Sequence, residues 1–78
     1  MIKSNQIIRW PKKPSDKKKV VKWLSRKFVF NIKYSEQEVN KIIKKHHIFG
    51  DTPLLRRELI SQKYLDRKMD GSQYWRVI

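Results

Sequence analysis

Two groups of cations carry most of the chemistry available to this sequence. Lys12, Lys13, Lys17, Lys18 and Lys19 crowd its N-terminal part, and Arg56 and Arg57 stand together in the run LRREL, with Arg67 and Lys68 further on. A lysine ammonium is a mobile point charge that registers a phosphate without reading sequence. An arginine presents a planar fork that can take a guanine edge through two parallel hydrogen bonds. Twenty basic residues against seven acidic ones give a formal net charge of +13, an excess that on a small domain favours polyanions. The excess is uneven. Residues 1–34 hold eleven bases and one acid, net +10, and residues 35–78 hold nine and six, net +3. A solvated, solubilising face is the ordinary reading of a charge run, but so large an asymmetry on so short a chain argues against it.

The remaining reactive side chains assemble into nothing catalytic. His46 and His47 invite a metal reading, yet neighbours on a helix point roughly 100° apart, and no third ligand follows at a recognisable spacing. A structural role is expected instead, with imidazole near a helix C-terminus, where positive charge is favourable. The sequence has no Gly-rich phosphate loop, no nucleophile with a convincing base and no cysteine, so the chain is read as non-enzymatic, without metal or cofactor. No apolar run approaches the roughly 18 residues of a membrane span, and residues 1–10 lack the apolar segment of a signal peptide. A cytoplasmic protein with no membrane partner is expected.

Seventy-eight residues make one domain, and a chain of this size buries only about 60% of the surface its unfolded form exposes. Each apolar residue therefore matters. Residues 52–63 read as a helix, with Asp51 or Thr52 as its cap and Pro53 in the first turn, where a missing N–H costs nothing. Leu55 and Leu59 share its packing face; Arg57 and Ser61 come round to the opposite side, with Thr52 near the entering end and Arg56 on the flank. After Lys63 the period changes to alternation, and Asp70-Gly71 between two such runs signals a hairpin. Upstream, Ser15 is expected to cap a helix over 16–28, with Val20, Val21, Leu24 and Phe28 at core spacing. Three lysines in its first turn oppose the helix dipole, a mismatch that a bound phosphate would relieve. Ser35 and Glu38 form a capping box for a helix over 36–46, and Tyr34 can staple onto Val39. Residues 30–34 are read as a brief extended segment, and Gly50 as the break before the third helix.

The expected fold is α+β: a small winged helix-turn-helix over residues 15–78, three helices followed by a C-terminal hairpin wing, preceded by an extended basic arm over 1–14. In the arm, Ile7, Ile8 and Trp10 either dock on the domain and close its core, or Trp10, between Arg9 and Lys12-Lys13, offers a base-stacking platform for single strands.

Several landmarks occur together in this order: Trp10-Pro11-Lys12-Lys13, Tyr34-Ser35-Glu36 with Glu38-Val39-Asn40, Asp51 before LRREL, Leu65 and Arg67, then Asp70-Gly71 with Tyr74-Trp75. With them the chain resembles the bacterial domain-of-unknown-function family numbered twenty eighty-seven, over about Arg9 to Val77. The resemblance implies a small winged-helix-like domain, found alone or attached to helix-turn-helix regulators, and nucleic-acid binding; it implies no established activity.

Two functions follow. The first is double-stranded DNA binding by a transcription regulator or accessory factor. The third helix enters the major groove through Arg57, Ser61, Arg56 and Thr52, the lysines of the arm and first helix hold phosphates, and Arg67 and Lys68 touch backbone from the wing. For the arginines the bland alternative is surface pairing with Glu58 or nearby acids, which contributes little. The second function keeps the fold but makes it a protein-interaction module, with Leu54 and Ile60 as a docking surface. RNA binding is a third possibility, supported by the bases around Trp10 but by no recognised RNA-binding motif.

Overall fold

The computed structural model describes residues 2–3, 6–47 and 50–78. It is an α+β arrangement of three helices followed by an antiparallel hairpin: β1 (Ile2–Lys3), β2 (Gln6–Ile7), α1 (Pro14–Ser25), α2 (Glu36–Lys45), α3 (Thr52–Ser61), β3 (Leu65–Arg67) and β4 (Tyr74–Arg76). The core holds Val20, Val21, Leu24 and Phe28 from α1 and the turn after it, Val39 and Ile43 from α2, and Leu55 and Leu59 from α3. Ile7, Tyr34, Leu65 and Tyr74 complete it. Among the described residues no helix is long and apolar enough to cross a membrane.

Helix boundaries follow local chemistry, with departures from expectation at both ends of α1 and at the end of α3. α1 begins at Pro14, two residues before the expected start, and its N-cap Lys13 accepts no side-chain bond. The ring of Pro14 presets the helical φ and lacks only an N–H that the first turn would leave unpaired, so the proline, rather than Ser15, sets the start. Regular helix ends at Ser25, but Lys27 N–H to Leu24 O (3.0 Å) and Phe28 N–H to Ser25 O (3.2 Å) carry tight turns onward. Phe28 therefore reaches the core from outside the helix. At α2 the capping box is complete, Glu38 N–H donating to Ser35 Oγ at 3.1 Å and Ser35 N–H to Glu38 Oε1 at 2.9 Å.

Asp51 caps α3, its Oδ1 accepting from Leu54 N–H at 3.1 Å. The helix stops at Ser61 rather than at residue 63 because Lys63 turns left-handed, at φ 66°. Tyr64 N–H then bonds Leu59 O and Lys63 N–H bonds Ile60 O, both at 3.0 Å, closing the helix in the motif that ordinarily carries glycine at that position. Lysine there bears a steric cost that glycine does not. Lys63→Gly is therefore expected to raise stability by about 0.5 to 1 kcal/mol after glycine's own entropic penalty. A urea midpoint that fails to rise would contradict the strain.

The hairpin pairs Leu65 with Arg76, Asp66 with Trp75 and Arg67 with Tyr74. It turns where expected. Gly71, at φ 75°, supplies the positive dihedral, and Gly71 N–H donates to Lys68 O at 2.9 Å. Asp70 Oδ1 accepts from Ser72 N–H at 2.9 Å, a bond that holds the Asp70 carboxyl below its usual range and the turn's anion ionised. Of the extended segment expected over 30–34, only Tyr34 joins the sheet, exchanging two 2.7 Å backbone bonds with Tyr74.

The N-terminal arm folds back on itself and on the domain. Ile2 pairs with Ile7 and Lys3 with Gln6, and Ile7 N–H donates to His46 O at 2.6 Å. Ile7 is fully buried and Trp10 packs partly against the core, whereas Ile8 stays exposed. Docking thus describes Ile7 and, in part, Trp10.

Candidate nucleic-acid interface

Burying Leu55 and Leu59 against the other helices turns the opposite side of α3 outward, and there Arg57 and Ser61 are exposed one turn apart. The hairpin comes up beside them. Strand alternation puts Arg67 on the same face as Leu65 and Tyr74, toward α3, and turns Lys68 to the other face. The result is a cleft of about 290 Å³ bordered by α3, the hairpin and the start of α2, lined by Arg56, Arg57, Ser61 and Arg67 with Ile60 and Tyr74, and by one carboxylate, that of Glu36. Arg57 Nε donates to the Pro53 carbonyl of its own helix at 3.4 Å. Such convergence of guanidinium groups suits an anion or a hydrogen-bond-accepting edge.

Arg56 is held differently from the expectation. Its Nη1 donates to Asn40 Oδ1 at 2.6 Å and its Nη2 lies 3.5 Å from Glu36 Oε1, so the guanidinium is fastened to α2 and its side chain is 20% exposed. Glu58, the partner that the alternative of surface pairing offered, accepts from Gln62 Nε2 at 3.0 Å. Thr52 departs further. It is 7% exposed, with Oγ1 2.9 Å from His47 Nε2, so its hydroxyl points into the fold and offers nothing to an interface.

The lysines form a separate group. Lys12, Lys13, Lys18 and Lys19 are exposed around the first turn of α1. Lys17 Nζ sits 5.8 Å from the centre of the Trp10 ring. Arg9, Trp10, Lys12, Lys13 and Asp16 border a second hollow of about 330 Å³. Apart from Thr52 and Lys68, the expected contact residues therefore divide between an arginine cleft and a lysine patch.

Residues 6–76, which span β2, all three helices and the hairpin, match a bacterial family described as uncharacterized protein conserved in bacteria (DUF2087). The chain belongs to the DUF2087 family. No curated protein and no solved structure matches it. The matched span holds both the arginine cleft and the lysine patch of this DUF2087 domain, while the family description assigns no activity to either.

At the junction of α2 and α3, His47 is 6% exposed and burial pushes its pKa below the ordinary 6.5; Asp51 raises it and Lys44 lowers it further, but burial is the largest cause. The expected benefit of positive charge near a helix end thus fails for His47, which is favoured neutral. Its neighbour His46 sits edge-on to Trp23, ring centres 5.9 Å apart. A lowered folded-state pKa means that the unfolded chain takes up a proton first. The contribution of His47 to stability is complete above about pH 6.5 and is lost as pH falls toward the folded value. Urea midpoints measured from pH 7 to pH 5 are expected to fall, and His47→Gln to flatten that part of the curve; an unchanged slope in the variant would assign the decline to other groups.

Sequence reasoning missed Asn40 as the holder of Arg56. The available signal was its place one turn beyond Glu36 on α2, so that both face the same side. It also missed cation–ring pairs, among them Lys27 Nζ, 4.7 Å from the Trp23 ring centre, Lys33 Nζ, 4.2 Å from that of Trp75, and the Arg76 guanidinium, 4.1 Å from that of Phe30.

Proposed function

We propose that this chain is a non-enzymatic, double-stranded DNA-binding protein of winged helix-turn-helix architecture, acting as a small transcription regulator or accessory DNA-binding factor. The observation that carries the reading is the convergence of Arg57, Ser61 and Arg67 on one cleft, where the exposed face of α3 meets the hairpin. In this reading α3 lies in the major groove with Arg57 toward a guanine edge, and β3–β4 is the wing, with Arg67 on the backbone beside it. Arg56, fastened by Asn40 and Glu36, holds the flank of α3 rather than searching for a base. The lysine patch adds phosphate contacts that strengthen binding on any sequence.

The test is selection of a preferred duplex from a randomised pool, followed by titration of that duplex, an unrelated duplex, a single strand and a structured RNA at one stated salt concentration. Arg57→Ala is expected to cost about 1 to 3 kcal/mol on the preferred duplex and much less on the unrelated one. A wild-type protein without duplex affinity at moderate salt would refute the reading.

A further inference from the structure

A second surface has a chemistry that duplex DNA does not match. Val29, Phe30, Ile32, Val77 and Ile78 are each between 42 and 58% exposed, and they come from two chain segments brought together by one side chain. Arg76 Nη1 donates to Phe28 O at 3.1 Å, its Nε donates to Ile78 O at 2.9 Å, and its guanidinium lies over the Phe30 ring. The turn after α1 is thereby clamped to the end of β4. Val29 N–H donates to Tyr34 Oη at 2.8 Å, which fixes the other side of the turn. These apolar groups are held in place, so little ordering entropy is lost when something covers them. Held patches of this kind mark interaction sites more often than scattered apolar residues do.

The charge around the patch selects the partner. Residues 26–34 and 74–78 contain Arg26, Lys27, Lys33 and Arg76 and no acidic side chain, with Lys27 Nζ held 4.7 Å from the Trp23 ring centre; across the ladder Asp66 stands opposite Trp75. A second copy would bring the same cations against them, on a chain of net charge +13. Beyond the thymine methyl and the sugar edges, nucleic acid offers little aliphatic surface to cover Val29, Ile32, Val77 and Ile78, and cations already lie on the Phe30 and Trp75 rings, where a base would stack. The patch is built from the turn after α1 and the end of β4 rather than from an amphipathic helix, the element that lies along a lipid surface, so another protein surface is the better fit.

We propose that this surface docks a protein partner whose apolar centre is rimmed by aspartate and glutamate. The proposal is independent of the DNA reading. The test titrates the full chain, labelled for amide NMR, with an amphipathic helical peptide carrying leucines flanked by glutamates, and with its twin carrying lysines instead. Saturable shifts confined to residues 28–34 and 74–78, given by the acidic peptide and not by the basic one, are expected. Phe30→Ser/Ile78→Ser should weaken that binding by about tenfold or more while leaving duplex binding and the melting midpoint unchanged. If that variant melts early, Val29→Ser/Val77→Ser serves in its place. Absence of shifts, equal shifts with both peptides, shifts centred on the α1 lysines, a concentration-dependent dimer, or uptake on anionic vesicles through these residues would each overturn the proposal.

Discussion

Simultaneous replacement of Lys12, Lys13, Lys17, Lys18 and Lys19 by glutamine is expected to flatten the salt dependence of duplex binding. Each lysine that neutralises a phosphate releases condensed counterions and contributes about 0.9 to the log–log slope, so five give up to about 4.5. The four exposed lysines supply the larger part, because Lys17 is already engaged over Trp10. Affinity should fall alike on preferred and unrelated duplexes, since phosphates carry no sequence. That distinguishes this variant from Arg57→Ala, whose loss should concentrate on the preferred site. The measurement is anisotropy of a labelled duplex across a salt series, after circular dichroism has shown the variant folded. A slope equal to that of wild type would remove the lysine patch from the interface.

Leu59→Ala is the substitution expected to damage the fold most. Leu59 is fully buried, and large-to-small changes at such sites cost about 2 to 5 kcal/mol. At about 0.05 to 0.15 kcal/mol per residue, a domain of this length holds about 4 to 12 kcal/mol in all, so the change removes a large share of it. Leu59 also supplies the carbonyl that receives Tyr64 N–H, and the loosened packing lies next to the step from α3 into β3. Urea unfolding followed by tryptophan fluorescence measures the effect. An unfolding midpoint equal to that of wild type would place the packing face of α3 elsewhere.

What could be read from the chain was local. Ser35 and Glu38 announce the start of α2 because a capping box is a contract between residues three apart. Asp70-Gly71 announces its turn because few other pairs accept the required dihedrals. The end of α3 was misplaced for the converse reason: Lys63 adopts a left-handed conformation that its side chain does not advertise. Arg57, Ser61 and Arg67 could be listed as outward-facing, but their meeting in one cleft depends on how the hairpin folds back beside α3. Arg56 shows the limit most clearly. Its partners lie on another helix, and only tertiary packing brings Asn40 to it ahead of the nearby Glu58. Thr52 was misjudged because a good helix-start residue is polar, and nothing in its sequence context revealed that a buried imidazole would take its hydroxyl.

The pair of 2.7 Å bonds between Tyr34 and Tyr74 also bears on the order in which the molecule comes together. A hairpin forms from neighbours and needs no distant contact, but this pair closes a loop of chain that contains α2, α3 and the hairpin turn. Closing such a loop lowers chain entropy before the two bonds offset it. The strands can therefore zip early, while their direction relative to α3 is fixed later, by the Tyr34 bonds together with the burial of Leu65 and Tyr74 and the hold of Arg76 on Phe28 O. In unfolding the order is expected to reverse, with the long-range ties at Tyr34 and Arg76 given up before the local pairing of the two strands.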